Sequence, residues 1–85
     1  MIWLFAFWAD SGEVWRACDV QTLRMPNGKR QRWAVVPSHL APFAATARQV
    51  ERVTDGEFLD ARYLDRYRAC EVMVLRGATY IRPVS

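Results

Sequence analysis

Residues 25–28 read MPNG, and they carry the most specific local signal in this chain of 85 residues. Proline presets φ for the first central position of a turn, asparagine tolerates the second, and glycine adopts the left-handed conformation that follows. This order is typical of a type I turn with a bulge, which closes a β-hairpin. We therefore predict a strand over residues 13–24 and its antiparallel return over residues 29–36, which ends at Pro37.

A run of apolar residues, 2–8, lies N-terminal to this hairpin and is too short for an isolated helix. We interpret it as a strand that is buried on both faces or lies at the centre of a crowded sheet. A turn at residues 10–12 then leads into residues 13–24. Their period-two pattern has mixed polarity on each face, which is typical of a strand with one solvated side.

Helices are predicted between residues 39 and 69. Ser38 can cap a first helix over about residues 39–52, where apolar residues recur at helical spacing. Residues 54–57, which read TDGE, fit a capping box that begins a second helix. These helices would cover one face of the sheet.

An alternative for the same segment is a second hairpin. Asp55-Gly56 can form a turn between strands at residues 49–53 and 57–62. The fold would then shift toward a mostly β, barrel-like structure. Short sequence windows leave both interpretations open.

The C-terminal residues predict one more hairpin. Two β-rich runs, 71–75 and 78–84, flank Arg76-Gly77, a two-residue loop with glycine at its second position. Pro83 has no amide donor, so the last strand is expected to lie at a sheet edge or to end there.

Together these elements predict one small α+β domain over residues 1–85. Its antiparallel sheet has four or five strands, the chain order is β-β-β-α-(α)-β-β, and helices cover the sheet. The residues expected in the core are Trp3, Leu4, Phe5, Phe7, Val14, Val35, Phe43, Val50, Phe58, Leu64, Val72, Val74 and Ile81.

Positive charge is concentrated in one interval of the chain. The net charge is +3, yet no acidic residue lies between Asp19 and Glu51. By the period-two rule, Arg30 and Arg32 share a strand face, and Arg24 lies across the turn from them. The basic residues within the interval are Arg24, Lys29, Arg30, Arg32 and Arg48.

Two kinds of partner fit such a patch, and a solvated strand edge is the third interpretation. Arginine and tryptophan are enriched at protein interface hot spots, whereas basic residues beside aromatic rings neutralise phosphates and stack bases. We expect an acidic protein or nucleoprotein partner rather than free nucleic acid. The alternative is a sheet-based nucleic-acid-binding module. The expected partner-binding residues are Arg24, Lys29, Arg30, Arg32, Trp33, Trp15 and Arg16.

Catalytic chemistry is not predicted. His39 is the one histidine, the four glycines are isolated, and neither a paired-carboxylate nor a metal-ligand pattern is present. We therefore expect no enzyme activity, no metal and no cofactor. A small chain without catalytic groups is typical of the stoichiometric inhibitors that phages and other mobile elements encode, and we take this as the expected mode of action.

Localisation is expected to be cytoplasmic, without membrane association. The longest apolar run is far below the ~20 residues of a membrane span, and no signal-peptide pattern begins the chain. Cys18 and Cys70 are then expected to be reduced and mostly buried. Because aromatic edges are hard to bury completely in so small a domain, we also predict a homodimer.

Overall fold

Six β-strands and two short helical segments make up the described residues, which are 2–44, 50–55 and 69–84 of the computed structural model. The strands are β1 (Ile2–Ala9), β2 (Gly12–Arg24), β3 (Arg30–Val35), β4 (Val50–Asp55), β5 (Ala69–Leu75) and β6 (Ala78–Val84). A 3₁₀ helix (Ser38–Leu40) and the helix α1 (Ala41–Ala44) follow β3. The strands form one antiparallel sheet in the order β4-β1-β2-β3-β6-β5.

The N-terminal apolar run forms a central strand, as the sequence predicts. β1 pairs with β2 from Ile2↔Asp19 to Ala9↔Gly12, and its other side pairs with β4. Neighbouring strands satisfy the backbone hydrogen bonds of β1 on both sides, and residues 3–7 are all buried, so this strand is covered on both faces of the sheet as well. Gly12 closes the tight turn with a φ of 114°, a conformation that favours glycine.

The predicted turn between β2 and β3 is confirmed by its hydrogen bonds and by the φ of Gly28. The Gly28 amide donates to the Met25 carbonyl at 2.8 Å, and the Met25 amide donates to the Lys29 carbonyl at 2.8 Å. The Asn27 side chain accepts a further hydrogen bond from the Lys29 amide at 2.9 Å. Gly28 has a φ of 82°, as a type I turn with a glycine bulge requires. This geometry sets the register of the two strands.

The C-terminal hairpin is also confirmed, but its last strand does not lie at a sheet edge. Arg76 and Gly77 both have positive φ, 50° and 79°, so the loop is a type I′ turn. β6 lies between β5 and β3, which corrects the edge prediction. It pairs with β3 only at Tyr80 and Ile81, so the missing amide of Pro83 interrupts no pairing with β3.

The seam between β3 and β6 is short. Two residue pairs, Ala34↔Ile81 and Val35↔Tyr80, join the strands. One more backbone hydrogen bond, from the Val36 amide to the Thr79 carbonyl at 2.9 Å, extends the seam. The other strand pairs each have at least five residue pairs within the described residues.

The first predicted helix is confirmed in part: residues 39–44 are helical, and residues 45–49 lie outside the described residues. Helical structure in the described residues is confined to Ser38–Leu40 and Ala41–Ala44, and residues 50–52 of the predicted helix belong to β4. Pro37 occupies the cap position without a side-chain hydrogen bond, so Ser38 is not the cap. Residues 50–55 instead pair with the second side of β1, and this long-range pairing replaces the helix that the local spacing favours.

The predicted capping box is wrong for the same reason. Asp55, which would be the first helical residue after Thr54, is the last residue of β4 and pairs with Trp3. The alternative hairpin correctly places a strand before Asp55. The body of the second helix and the return strand of that hairpin, residues 57–62, lie outside the described residues.

The fold is a small, mostly β domain with a curled antiparallel sheet and one short helix. Five strands are those that the sequence predicts, and β4 joins them at one edge of the sheet. Cα atoms of the two edge strands, β4 and β5, approach within 8 Å of one another. The described residues therefore favour the barrel-like alternative and support the α+β class and helix cover only loosely.

The core fills the concave face of the curled sheet, with α1 against it. Trp3 and Phe5 meet edge to face, with ring centroids 6.4 Å apart. Cys70, Phe43, Val20 and Val72 are partly buried against the cluster. The buried residues of this cluster are Trp3, Phe5, Phe7, Cys18, Ala34, Val36, Leu40, Ala44 and Ile81.

Most of the predicted core residues with described side chains are buried or half-buried. Val74 is the error, because it is 64% exposed near the end of the edge strand β5. Trp33 is buried although it was not predicted to be. Val50, Phe58 and Leu64 lie where the structure describes no side chains.

Candidate partner-binding surface

The β2–β3 hairpin brings four basic side chains together. Arg24 and Arg30 are direct cross-strand partners, and Arg32 lies opposite Thr22. Because cross-strand partners project from the same face of a sheet, Arg24, Arg30 and Arg32 share one face. All three are exposed, as is Lys29 in the turn. We call these four residues the basic hairpin surface.

The electrostatics of this surface favour anions. Like charges directly opposite each other destabilise a strand pair, and Arg24 faces Arg30 in this way. No residue from 20 to 35 is acidic, so the hairpin supplies no carboxylate that would neutralise them. An anion bound between the two guanidinium groups would therefore relieve a repulsion that the folded hairpin contains.

Arg16 and Trp15 do not join the basic hairpin surface. Both lie in the N-terminal half of β2, opposite Phe5 and Ala6 of β1. Arg16 is eight residues from Arg24, about 26 Å along the strand at roughly 3.3 Å per residue. The structure thus separates these two of the seven predicted site residues from the basic hairpin surface.

Trp33 belongs to the packed part of the fold. Its side chain is 3% exposed and lies on the opposite face of β3 from Arg32. The guanidinium carbon of Arg82 sits 5.7 Å from the centre of the indole ring, and Arg82 donates a hydrogen bond to Glu71 at 2.7 Å. In this arrangement the ring offers no surface on which a nucleic-acid base could stack.

An apolar pocket beside the hairpin was not found from the sequence. Its volume is about 350 Å³, and it is lined by Leu23, Arg24, Met25, Pro26, Met73 and Leu75. We call it the apolar pocket. Arg24 is its one charged residue and also belongs to the basic hairpin surface. Alternation along β2 and β5 could have placed these apolar side chains on common faces, but it could not bring the two strands together.

Ser38 and His39 are exposed in the 3₁₀ helix. Within residues 2–44, 50–55 and 69–84, no three His, Cys, Asp or Glu side chains form a group that could hold a metal ion.

No disulfide joins the two cysteines. Cys18 is fully buried and Cys70 half-buried. Burial raises the pKa of the Cys18 thiol to about 11, and the neighbouring Asp19 carboxylate adds to this increase.

Comparisons with models of protein families, with characterised proteins and with solved structures find no match to this chain. In the part of the chain that the structure describes, no helix has the length and apolar character of a membrane span.

Proposed function

We propose that this chain is a non-enzymatic interaction protein that binds an acidic protein, alone or within a nucleoprotein complex, through the basic hairpin surface. The observation that supports the proposal is the cross-strand pair of Arg24 and Arg30, flanked by Lys29 and Arg32 in a segment, residues 20–35, that has no acidic residue. Carboxylates of a partner would form charge-assisted hydrogen bonds with these groups. The chain would act by occupying a site on its partner, as a stoichiometric inhibitor does.

A protein partner is favoured over nucleic acid by the position of the aromatic residues. Trp33 is the only aromatic residue between 16 and 42, and it is buried. Proteins that bind single strands on a sheet use exposed aromatic rings to stack bases. The described residues of the basic hairpin surface are all charged and carry no exposed aromatic ring.

A charge-reversal experiment tests this proposal. Lys29→Glu with Arg30→Glu changes the charge of the basic hairpin surface by four units, because each substitution changes two. Arg16→Glu with Arg76→Glu makes the same change at exposed positions outside the basic hairpin surface. Wild type and both variants would be used to capture partners from a lysate, with and without nuclease. The dissociation constant of the purified partner would then be measured at two salt concentrations.

We expect nuclease-insensitive capture of an acidic protein, with affinity lowered at least about tenfold in the hairpin variant and largely retained in the control. Affinity should also fall moderately as salt rises. Nuclease-sensitive capture with a steep salt dependence would favour the nucleic-acid alternative. Equal binding by a folded hairpin variant would show that the surface is only a solvated strand pair.

A further inference from the structure

The outer side of β5 presents backbone groups that no other strand of the described residues pairs with. The Val36 amide donates to the Thr79 carbonyl at 2.9 Å, so the backbone groups of Thr79 point toward β3. In an antiparallel ladder, opposite residues direct their amides and carbonyls alternately toward each other and away from each other. Val74 is opposite Thr79 and therefore points its amide and carbonyl away from β6, to the open edge of the sheet.

The exposed end of this edge is apolar on both faces of the sheet. Val74 is 64% exposed and Leu75 is 46% exposed, whereas Met73 is half-buried. Because side chains alternate along a strand, Val74 projects from one face, and Met73 and Leu75, which line the apolar pocket, project from the other. An edge with open hydrogen-bonding groups and apolar side chains is a template for pairing with another strand.

The charges that flank this edge favour an antiparallel second copy as the partner. Residues 72–75 carry no charge, and Glu71 precedes them and Arg76 follows them. In an antiparallel pair of identical strands, Glu71 of each copy lies at the end of the pair where Arg76 of the other copy lies. An in-register parallel pair would instead place like charges side by side, which destabilises strand pairing. The Glu71 side chain keeps 44% exposure although it accepts a hydrogen bond from Arg82.

Symmetry restricts the register of such a pair. A twofold axis that relates two antiparallel edge strands runs normal to the sheet, so each residue and its copy lie on the same face. Cross-strand partners also lie on the same face, so only registers in which one residue opposes its own copy are consistent. With Val74 at this centre, Met73 lies opposite Leu75 of the second copy, and Glu71 lies opposite Gly77.

The other centres at this end of β5 fit less well. A centre at Met73 would place the Glu71 carboxylate opposite the apolar side chain of Leu75. A centre at Leu75 would leave few strand residues to pair, because β5 ends there. The centre at Val74 instead lets the two copies of this residue exchange two backbone hydrogen bonds, since both point to the open edge.

We propose that β5 binds β5 of a second copy of this chain in an antiparallel pair centred on Val74. The pair satisfies open backbone groups of both edges and covers their exposed apolar side chains, and the removal of apolar area from water favours the association. Because the pair involves few residues of each chain, we expect it at high micromolar concentration. This inference does not depend on the proposed function, because the basic hairpin surface takes no part in it.

Cysteine cross-linking tests the register. A disulfide requires Cα atoms about 4.4–6.8 Å apart, and a hydrogen-bonded antiparallel pair has Cα atoms about 5.5 Å apart. Residues one position from the centre lie diagonally from their own copies, at about 7–8 Å, which is too far for a disulfide. Val74→Cys, Met73→Cys and Leu75→Cys would be exposed to oxidised glutathione at high micromolar concentration. The matched control is Val84→Cys, because Val84 is 40% exposed on β6, which is not an edge strand.

Two further measurements accompany the cross-linking. Peptide mapping identifies the linked residues, because Cys18 and Cys70 are also present. Circular dichroism shows that each variant is folded, and light scattering gives the mass of wild type over the same range of concentration.

We expect Val74→Cys to form a dimer linked through the two introduced cysteines, in about tenfold higher yield than the other three variants. The mass of wild type should rise from monomer toward dimer with concentration. The proposal would be overturned by a yield for folded Val74→Cys equal to that of Val84→Cys, or by a higher yield for Met73→Cys or Leu75→Cys. Wild type that stays monomeric at high micromolar concentration would overturn it as well.

Discussion

Cys18 is a thiol held in its neutral form by the core. It pairs with Trp3 across the β1–β2 ladder and is 1% exposed. Burial in an apolar environment disfavours the thiolate, and the carboxylate of Asp19 disfavours it further. The pKa of this thiol is therefore raised to about 11.

The raised pKa predicts a loss of stability in alkaline solution. Above the ordinary value of 9.0 the thiol of the unfolded chain ionises while that of the folded chain stays protonated. The unfolded state then binds fewer protons, so the free energy of unfolding falls as pH rises toward 11. Between about pH 8 and pH 10 this loss should be about 1–1.5 kcal/mol.

Urea unfolding of wild type and Cys18→Ala across this pH interval measures the effect. The variant lacks the thiol, so its stability should decline less than that of wild type over the same interval. Parallel declines in the two proteins would show that Cys18 does not contribute.

Individual residues of the candidate surface differ in how far the sequence could predict them. The turn type sets the register of β2 and β3, and this local information is enough to place Arg24 opposite Arg30. The burial of Trp33 depends on β6, which reaches β3 from 47 residues further along the chain, as the pair Ala34↔Ile81 shows. Composition around Trp33 could not reveal that contact.

The loop between β5 and β6 needs positive φ at two residues, and glycine occupies only one of these positions. A type I′ turn requires positive φ at both central positions, and Gly77 adopts it without strain. Arg76 has a φ of 50°, where the Cβ of most residues makes unfavourable contacts. Asparagine tolerates this region better than arginine does.

Arg76→Asn should therefore raise the free energy of unfolding by about 0.5–1 kcal/mol. Gly77→Ala is the opposite control, since a Cβ there meets no atom within 4 Å and any cost is conformational. It should lower stability by about 1 kcal/mol. Chemical denaturation of wild type and both variants measures the two changes in the free energy of unfolding. A neutral or destabilising Arg76→Asn would contradict the role that we assign to the positive φ.

At the level of elements, local signals predict hairpins well and β4 poorly. Hairpin turns are local, so the three chain-adjacent strand pairs follow from residues 10–12, 25–28 and 76–77. β4 instead pairs with a strand about 50 residues away, as Leu4↔Thr54 shows. The TDGE pattern is a local helix signal, and the pairing demand of β1 overrides it.

At the scale of the whole molecule, the apolar surface that remains exposed is the basis for predicting self-association. Val74 and Leu75 lie on the edge strand β5, and an exposed apolar edge can pair with a second chain. The exposed large apolar residues are Ile2, Trp8, Val74, Leu75 and Val84.

We predict a homodimer that forms through β5 as concentration rises. Val74→Lys should weaken it, because a lysine on an edge strand opposes edge-to-edge pairing. Ser38→Lys adds the same charge at an exposed position in the 3₁₀ helix and should leave the dimer intact. Light scattering from low to high micromolar concentration measures the mass. A monomer throughout this range would contradict the prediction.

The order of strands in the sheet lay beyond what the sequence could predict. Hairpins determine which chain-adjacent strands are neighbours, but the placement of β4 beside β1 and of β6 beside β3 depends on the shared core. Trp3, Phe5 and Ile81 could be assigned to that core in advance, whereas the curl of the sheet that brings them together could not.

The seam between β3 and β6 is short, so the two parts of the molecule that it joins can unfold separately. The β1–β2–β3 meander and the β5–β6 hairpin are each held by long local ladders. Among the described residues, only Ala34↔Ile81, Val35↔Tyr80 and the hydrogen bond of the Val36 amide join them along the backbone. Partial unfolding follows the boundary with the fewest bonds. The C-terminal hairpin should therefore detach as one unit, and a detached hairpin can re-dock on the meander of a neighbouring chain, so this seam is the interface at which domain swapping would open the fold.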